Sequence, residues 1–75
     1  MRELVEYIAK SLVDSPEAVE VREVQGETGL IIELRVAPED MGKVIGRQGR
    51  IAKAIRAVVK AAGLRRGEPA MLEII

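Results

Sequence analysis

The chain has 75 residues, 48% of them apolar and 32% charged. That is one small globular domain and no more, with too much apolar content for a disordered tail. It has no cysteine and no histidine, which excludes disulfides, thiolate metal sites and the commonest nucleophile–base pairs. An enzyme is therefore not expected, nor is a metal or any other cofactor. A domain this short buries only about 60% of the surface its unfolded chain exposes, so a partner or a second copy would help it.

The first predicted element is a helix over residues 2–13. Leu4, Val5, Ile8, Ala9 and Leu12 form its apolar stripe, and Tyr7 lies off that stripe and is expected to be partly buried. Met1-Arg2-Glu3-Leu4 leads directly into this amphipathic pattern, which does not read as a signal peptide. No apolar run is long enough for a membrane span, so a cytoplasmic protein without membrane attachment is expected. Asp14-Ser15-Pro16 ends the helix, because the residue before proline disfavours the α conformation.

Val19-Glu20-Val21-Arg22 alternates as a half-buried strand does, and Val24 breaks the alternation, which predicts a bulge or the strand's end. Gln25 to Gly29 is a glycine-bearing turn. Leu30, Ile32, Leu34 and Val36 then alternate through a second strand, so the two strands read as a hairpin. Pro38-Glu39-Asp40 starts a short helix, with both acids at the positive end of its dipole. That helix runs to about Ile45, and Gly46 stops it. Another helix runs from Gly49 or Arg50 to about Ala62, with Gly63 as its stop. Residues 65–69 read as a loop and Ala70 to Ile75 as a last strand, with Leu72 and Ile74 facing the core. The order α-β-β-α-α-β predicts an α+β fold: a three-stranded mixed sheet with three helices on one face.

The formal net charge is zero, but it is unevenly distributed. Lys43, Arg47, Arg50, Lys53, Arg56, Lys60, Arg65 and Arg66 lie in an acid-free stretch from Gly42 to Gly67. That stretch carries +8 and the remainder −8, an asymmetry that points to a polyanion on one side of the protein. Within it stands Val44-Ile45-Gly46-Arg47-Gln48-Gly49-Arg50-Ile51. Two glycines three apart separate a short helix from a long one. Glycine accepts positive φ and allows close backbone approach. The second glycine falls where unpaired N–H groups and the helix dipole favour an anion. Arg47 adds charge and Gln48 a neutral donor and acceptor. A tight helix-turn-helix with no ligand would also use such glycines. The basic residue inside this loop, the aliphatics before it and the acid-free helix after it favour the binding role. No glycine is followed by Lys-Ser or Lys-Thr as a Walker loop requires, and Gly42, Gly46 and Gly49 have the wrong spacing for a dinucleotide fingerprint. At about 100° per residue, Ile51, Ile55, Val58, Val59 and Ala62 fall on the apolar side of the long helix. Arg50, Lys53, Arg56 and Lys60 fall on the other.

Gly46-Arg47-Gln48-Gly49 between two helices resembles the GxxG loop of KH domains, and the element order resembles their type II, prokaryotic form. The run from Gly42 to Arg56, with Leu4-Val5-Glu6-Tyr7-Ile8-Ala9-Lys10, is similar to the KhpA family of small stand-alone bacterial KH proteins, and the likeness covers essentially the whole chain. The resemblance implies a single domain over residues 1–75 that binds single-stranded RNA as a chaperone or post-transcriptional regulator. It also implies a homodimer, and pairing with KhpB, a larger protein with a KH domain and a second nucleic-acid-binding domain. By resemblance Gly46 to Gly49 grip the RNA backbone, with Lys43, Arg50 and Lys53 beside them, while Val44, Ile45 and the sheet edge form an aliphatic groove. Ala52 departs from the pattern, since many KH domains carry a larger aliphatic there. The alternative is a KH-like interaction or scaffold module that does not bind RNA.

Overall fold

The computed structural model describes residues 1–75. Helix α1 spans Arg2–Leu12, strands β1 and β2 span Glu20–Gln25 and Leu30–Arg35, helices α2 and α3 span Met41–Ile45 and Arg50–Arg66, and strand β3 spans Ala70–Ile74. Single 3₁₀ turns at Pro16–Ala18, Pro38–Asp40 and Arg47–Gly49 join them. The sheet order is β1-β2-β3, with β1 antiparallel and β3 parallel to the central strand. The predicted mixed sheet and α-β-β-α-α-β order are therefore what the chain forms.

Alternation in the strands sends Val21, Ile32, Leu34 and Leu72 to one face, where they meet Val5 and Ala9 of α1, Val44 of α2, and Ile55 and Val59 of α3. The other face carries the cross-strand ion pair of Arg22 and Glu33, 2.6 Å between Nη2 and Oε1. At an exposed site such a pair adds little stability.

Four expectations need correction. Tyr7 is 73% exposed, well outside the core. Strand β1 has no bulge at Val24, which pairs in register with Ile31. The inward-facing position before it holds Glu23, whose carboxylate accepts the Arg2 amide N–H at 3.0 Å. A donor left over at the start of α1 thus explains the polar residue that breaks the alternation. Val58 is 42% exposed, whereas Ala52 is buried. The face of α3 that meets the sheet is centred on Ala52, Ile55, Val59 and Gly63.

The end of α3 differs most. The helix passes through Gly63 and includes Arg65 and Arg66, so neither arginine lies in a loop. Gly67, at φ 75, is the true stop. Its N–H donates to the Leu64 carbonyl and that of Glu68 to the Gly63 carbonyl, at 3.1 and 2.9 Å, the paired bonds of a Schellman cap. Gly63 is there for close packing: a Cβ on it would stand 2.5 Å from the Glu68 carbonyl oxygen and 2.9 Å from Ala70 Cβ. Helix propensity alone favours Gly63→Ala by about 1 kcal/mol. We expect the clash to outweigh this and the variant to lose about 1–3 kcal/mol, read as a lower urea midpoint.

Candidate nucleic-acid interface

Helix α2 ends at Gly46, whose backbone at φ 76, ψ 171 turns the chain outward. Gln48 and Gly49 follow at φ 57 and φ 74. Three of the four loop residues thus have positive φ, and Gln48 holds it without glycine's freedom. Gly46 also cannot carry a side chain, because its Cβ would stand 2.6 Å from Ile51 Cγ1. That contact brings the start of α3 close under the loop.

Helix α3 then begins with no side-chain cap and no acid in its first turn. Helix starts normally recruit Ser, Thr, Asp or Asn to satisfy their leftover amides. Here the 3₁₀ turn takes the Gly49 and Arg50 N–H groups back to the Gly46 and Arg47 carbonyls, no side chain caps the helix, and its positive dipole end meets no acid of its first turn. Arg47, Gln48, Arg50 and Lys53 are all exposed around them, and none of the three cations forms an ion pair. The Gln48 Oε1 accepts from Arg50 Nη2 at 3.1 Å, which leaves the Gln48 amide nitrogen free to donate. Ile45 is 38% exposed beside the loop and offers an aliphatic contact.

Two predicted site residues are placed otherwise. Val44 is fully buried in the core, so it supports the loop from beneath and forms no groove wall. Lys43 turns away from the loop. Its Nζ lies 3.1 Å from Asp14 and 3.7 Å from Asp40, and the hydrogen bond and charge of Asp14 raise its pKa above the ordinary lysine value.

The sequence pattern alone makes Asp40 a dipole partner. It is instead fully buried and accepts the Asp14 and Ser15 amide N–H groups at 3.2 and 3.0 Å. The carboxylate therefore clamps the segment after α1 to the base of α2, the helix that carries the loop. Burial opposes its ionisation, but the Ser15 and Asp14 amides and Lys43 together outweigh it and hold its pKa below the ordinary aspartate value. The sequence signal was its i, i+3 spacing to Lys43.

A family model described as the KH domain of KhpA/KhpB matches residues 2–74. The chain belongs to that family. RNA-binding protein KhpA of Clostridium perfringens is 67% identical over 75 residues, spanning the whole of both chains. KhpA of Caldanaerobacter subterraneus is 64% identical over the same span, and that of Aquifex aeolicus is 48% identical over 75 residues, 95% of its length. A crystal structure of an Aquifex aeolicus Era variant bound to GDP.AlF4- superposes with a TM-score of 0.64 at 25% identity. The match covers 97% of this KH domain and 28% of the Era chain. The GxxG motif that defines the resemblance is thus the junction that leads into a helix without a side-chain cap or an acid in its first turn.

A carboxyl whose folded pKa is lowered stabilises the fold at pH values above its unfolded pKa, and that stability is lost as pH falls through the folded value. We expect Asp40→Asn to lower the urea midpoint at neutral pH. The fall of the midpoint below about pH 4 should also be shallower in this variant than in the parent domain, as a pH series of unfolding curves would read.

Proposed function

We propose that this KH domain binds single-stranded RNA, with the sugar-phosphate backbone crossing Gly46-Arg47-Gln48-Gly49. The observation that carries this reading is the acid-free start of α3 beneath that loop, without a side-chain cap, flanked by Arg47, Arg50 and Lys53 with no ion-pair partners. Phosphate oxygens are the ligands that these cations and the positive dipole end suit. The relatives that span the same length are named RNA-binding proteins. The single aromatic residue, Tyr7, lies on α1, so base stacking on rings contributes nothing at the loop. Binding then rests on backbone contacts, with weak sequence preference and marked salt dependence. This is a binding module with no catalytic step, consistent with a cytoplasmic RNA chaperone or post-transcriptional regulator. No helix is long and apolar enough to cross a membrane.

Arg47→Asp combined with Gln48→Asp tests the loop. Aspartate tolerates the left-handed backbone at position 48, so the fold should survive. Two acids there should weaken binding of a short RNA by well over about tenfold. Unchanged affinity in a polarisation assay, alongside a native circular dichroism spectrum, would remove the loop from the mechanism.

The same reading includes a homodimer, and pairing with the larger KH-containing KhpB. Val58 and Ile75 are 42% and 46% exposed, which leaves aliphatic surface that a small domain gains by covering. Sedimentation on the order of tens of micromolar, typical of weak interfaces, should show dimer; a strict monomer there counts against self-association.

A further inference from the structure

Lys43 is the one cation of the basic stretch that the chain itself neutralises, and its two anchors differ in kind. Asp40 is buried and accepts the Asp14 and Ser15 amides, so its place in the fold does not depend on the lysine. Asp14 is the nearer anchor, 3.1 Å from Nζ against 3.7 Å for Asp40, and contributes more to the rise in the lysine's pKa. The Asp14 side chain is 78% exposed, and its carboxylate has no other hydrogen-bond or ion-pair partner. Its main chain serves the clamp at the base of α2, while its carboxylate serves Lys43 alone. An ion pair this exposed adds little to stability, so stability gives no account of why it is there.

Lys43 also stands within reach of the loop. It precedes Gly46 by three residues, about 4.5 Å along the axis of α2 at about 1.5 Å per residue. A flexible four-carbon stem spans more than that. Side chains on a helix lean toward its N-terminal end, which here is the Asp40 end, away from the loop. Gly42 beside it is exposed, and a Cβ at that position would meet nothing, so no side chain at position 42 obstructs the lysine stem. Without the Asp14 carboxylate, a phosphate beside the loop competes for the ammonium only with the longer contact to Asp40.

We propose that Asp14 is a positioning residue for RNA binding, which holds Lys43 back from the Gly46–Gly49 loop and so withholds one phosphate contact within that lysine's reach. This rests on the loop reading above and adds to it a limit on how tightly the loop grips. An acid from the segment after α1 thus tunes a site to which it does not itself belong. Lower affinity is mostly faster release, so the restraint favours exchange of RNA over retention.

The test follows a uniform RNA oligomer of about eight nucleotides, longer than the four a GxxG loop clamps, by polarisation across a salt series. Asp14→Ala should tighten binding several-fold at low salt. It should also steepen the slope of log affinity against log salt by about 0.7, the release of one phosphate counterion. Lys43→Gln should keep the parent's slope, and Asp14→Ala added to it should not steepen that slope. Asp14→Glu retains the carboxylate and should also keep the parent's slope. The backbone bond from position 14 to Asp40 is available in every variant, so folding is expected to persist, and circular dichroism checks it. A slope that does not steepen in Asp14→Ala overturns the proposal. So does equal steepening in the Lys43→Gln background, which would make the field of Asp14 itself the cause. In either case the loop reading stands if Arg47→Asp with Gln48→Asp still weakens binding. If the parent binds no RNA, the loop reading falls and takes this proposal with it.

Discussion

The close contact of α3 with the sheet is the constraint from which the rest follows. Ala52 and Gly63 are the small residues on the face where that helix is buried, beside Ile55 and Val59. Gly63 lets the helix approach Ala70 at a distance no side chain would allow. Once that face is fixed, helical geometry at about 100° per residue places Arg50, Lys53, Arg56 and Lys60 along one flank of the helix, with Arg56 beside Gly63, and all four are exposed. The start of α3 must stand at the end of α2. The position of the proposed binding surface is thus set by packing that its residues take no part in.

Ala52 illustrates the same separation. Its small size departs from the family pattern, and in a groove that would make a shallower floor. Ala52 is 3% exposed, however, so its size is absorbed by the packing of α3. The exposed aliphatic at the loop is Ile45, on the other side of Gly46. A larger residue at position 52 would press on the core before it reached a ligand.

Much of this was legible in the sequence because period 2 and period 3.6 patterns report burial directly. The alternation of Leu30, Ile32 and Leu34 fixed the central strand, and the two glycines fixed the α2–α3 junction. What stayed hidden was set by contacts between distant segments. Gly63 and Gly67 are both plausible helix stops by local rules, and only Ala70, folded back against the helix, decides between them. Lys43 looks like a free cation beside the loop until Asp14, 29 positions earlier, is brought to it. Val44 and Ile45 are neighbours of equal hydrophobicity, and the phase of a five-residue helix is too short a record to show which one the core takes.

The charge distribution of this neutral chain acquires a physical meaning in the folded domain. Of the eight basic residues between Gly42 and Gly67, Lys43 alone is ion-paired. Its partners, Asp14 and Asp40, belong to the clamp at the base of α2. The other acids lie in α1, the strands and the turns, and they draw none of the remaining seven cations into contact. Intramolecular pairing would have screened those charges and cost side-chain freedom at each one. Leaving them unpaired keeps a local positive field on a protein with no net charge. That field acts over about a Debye length, roughly 8 Å at physiological salt, so it attracts a phosphate chain already near α3 without drawing polyanions to the rest of the surface. The proposed grip at the loop would then draw on charge along the helix and need no aromatic ring.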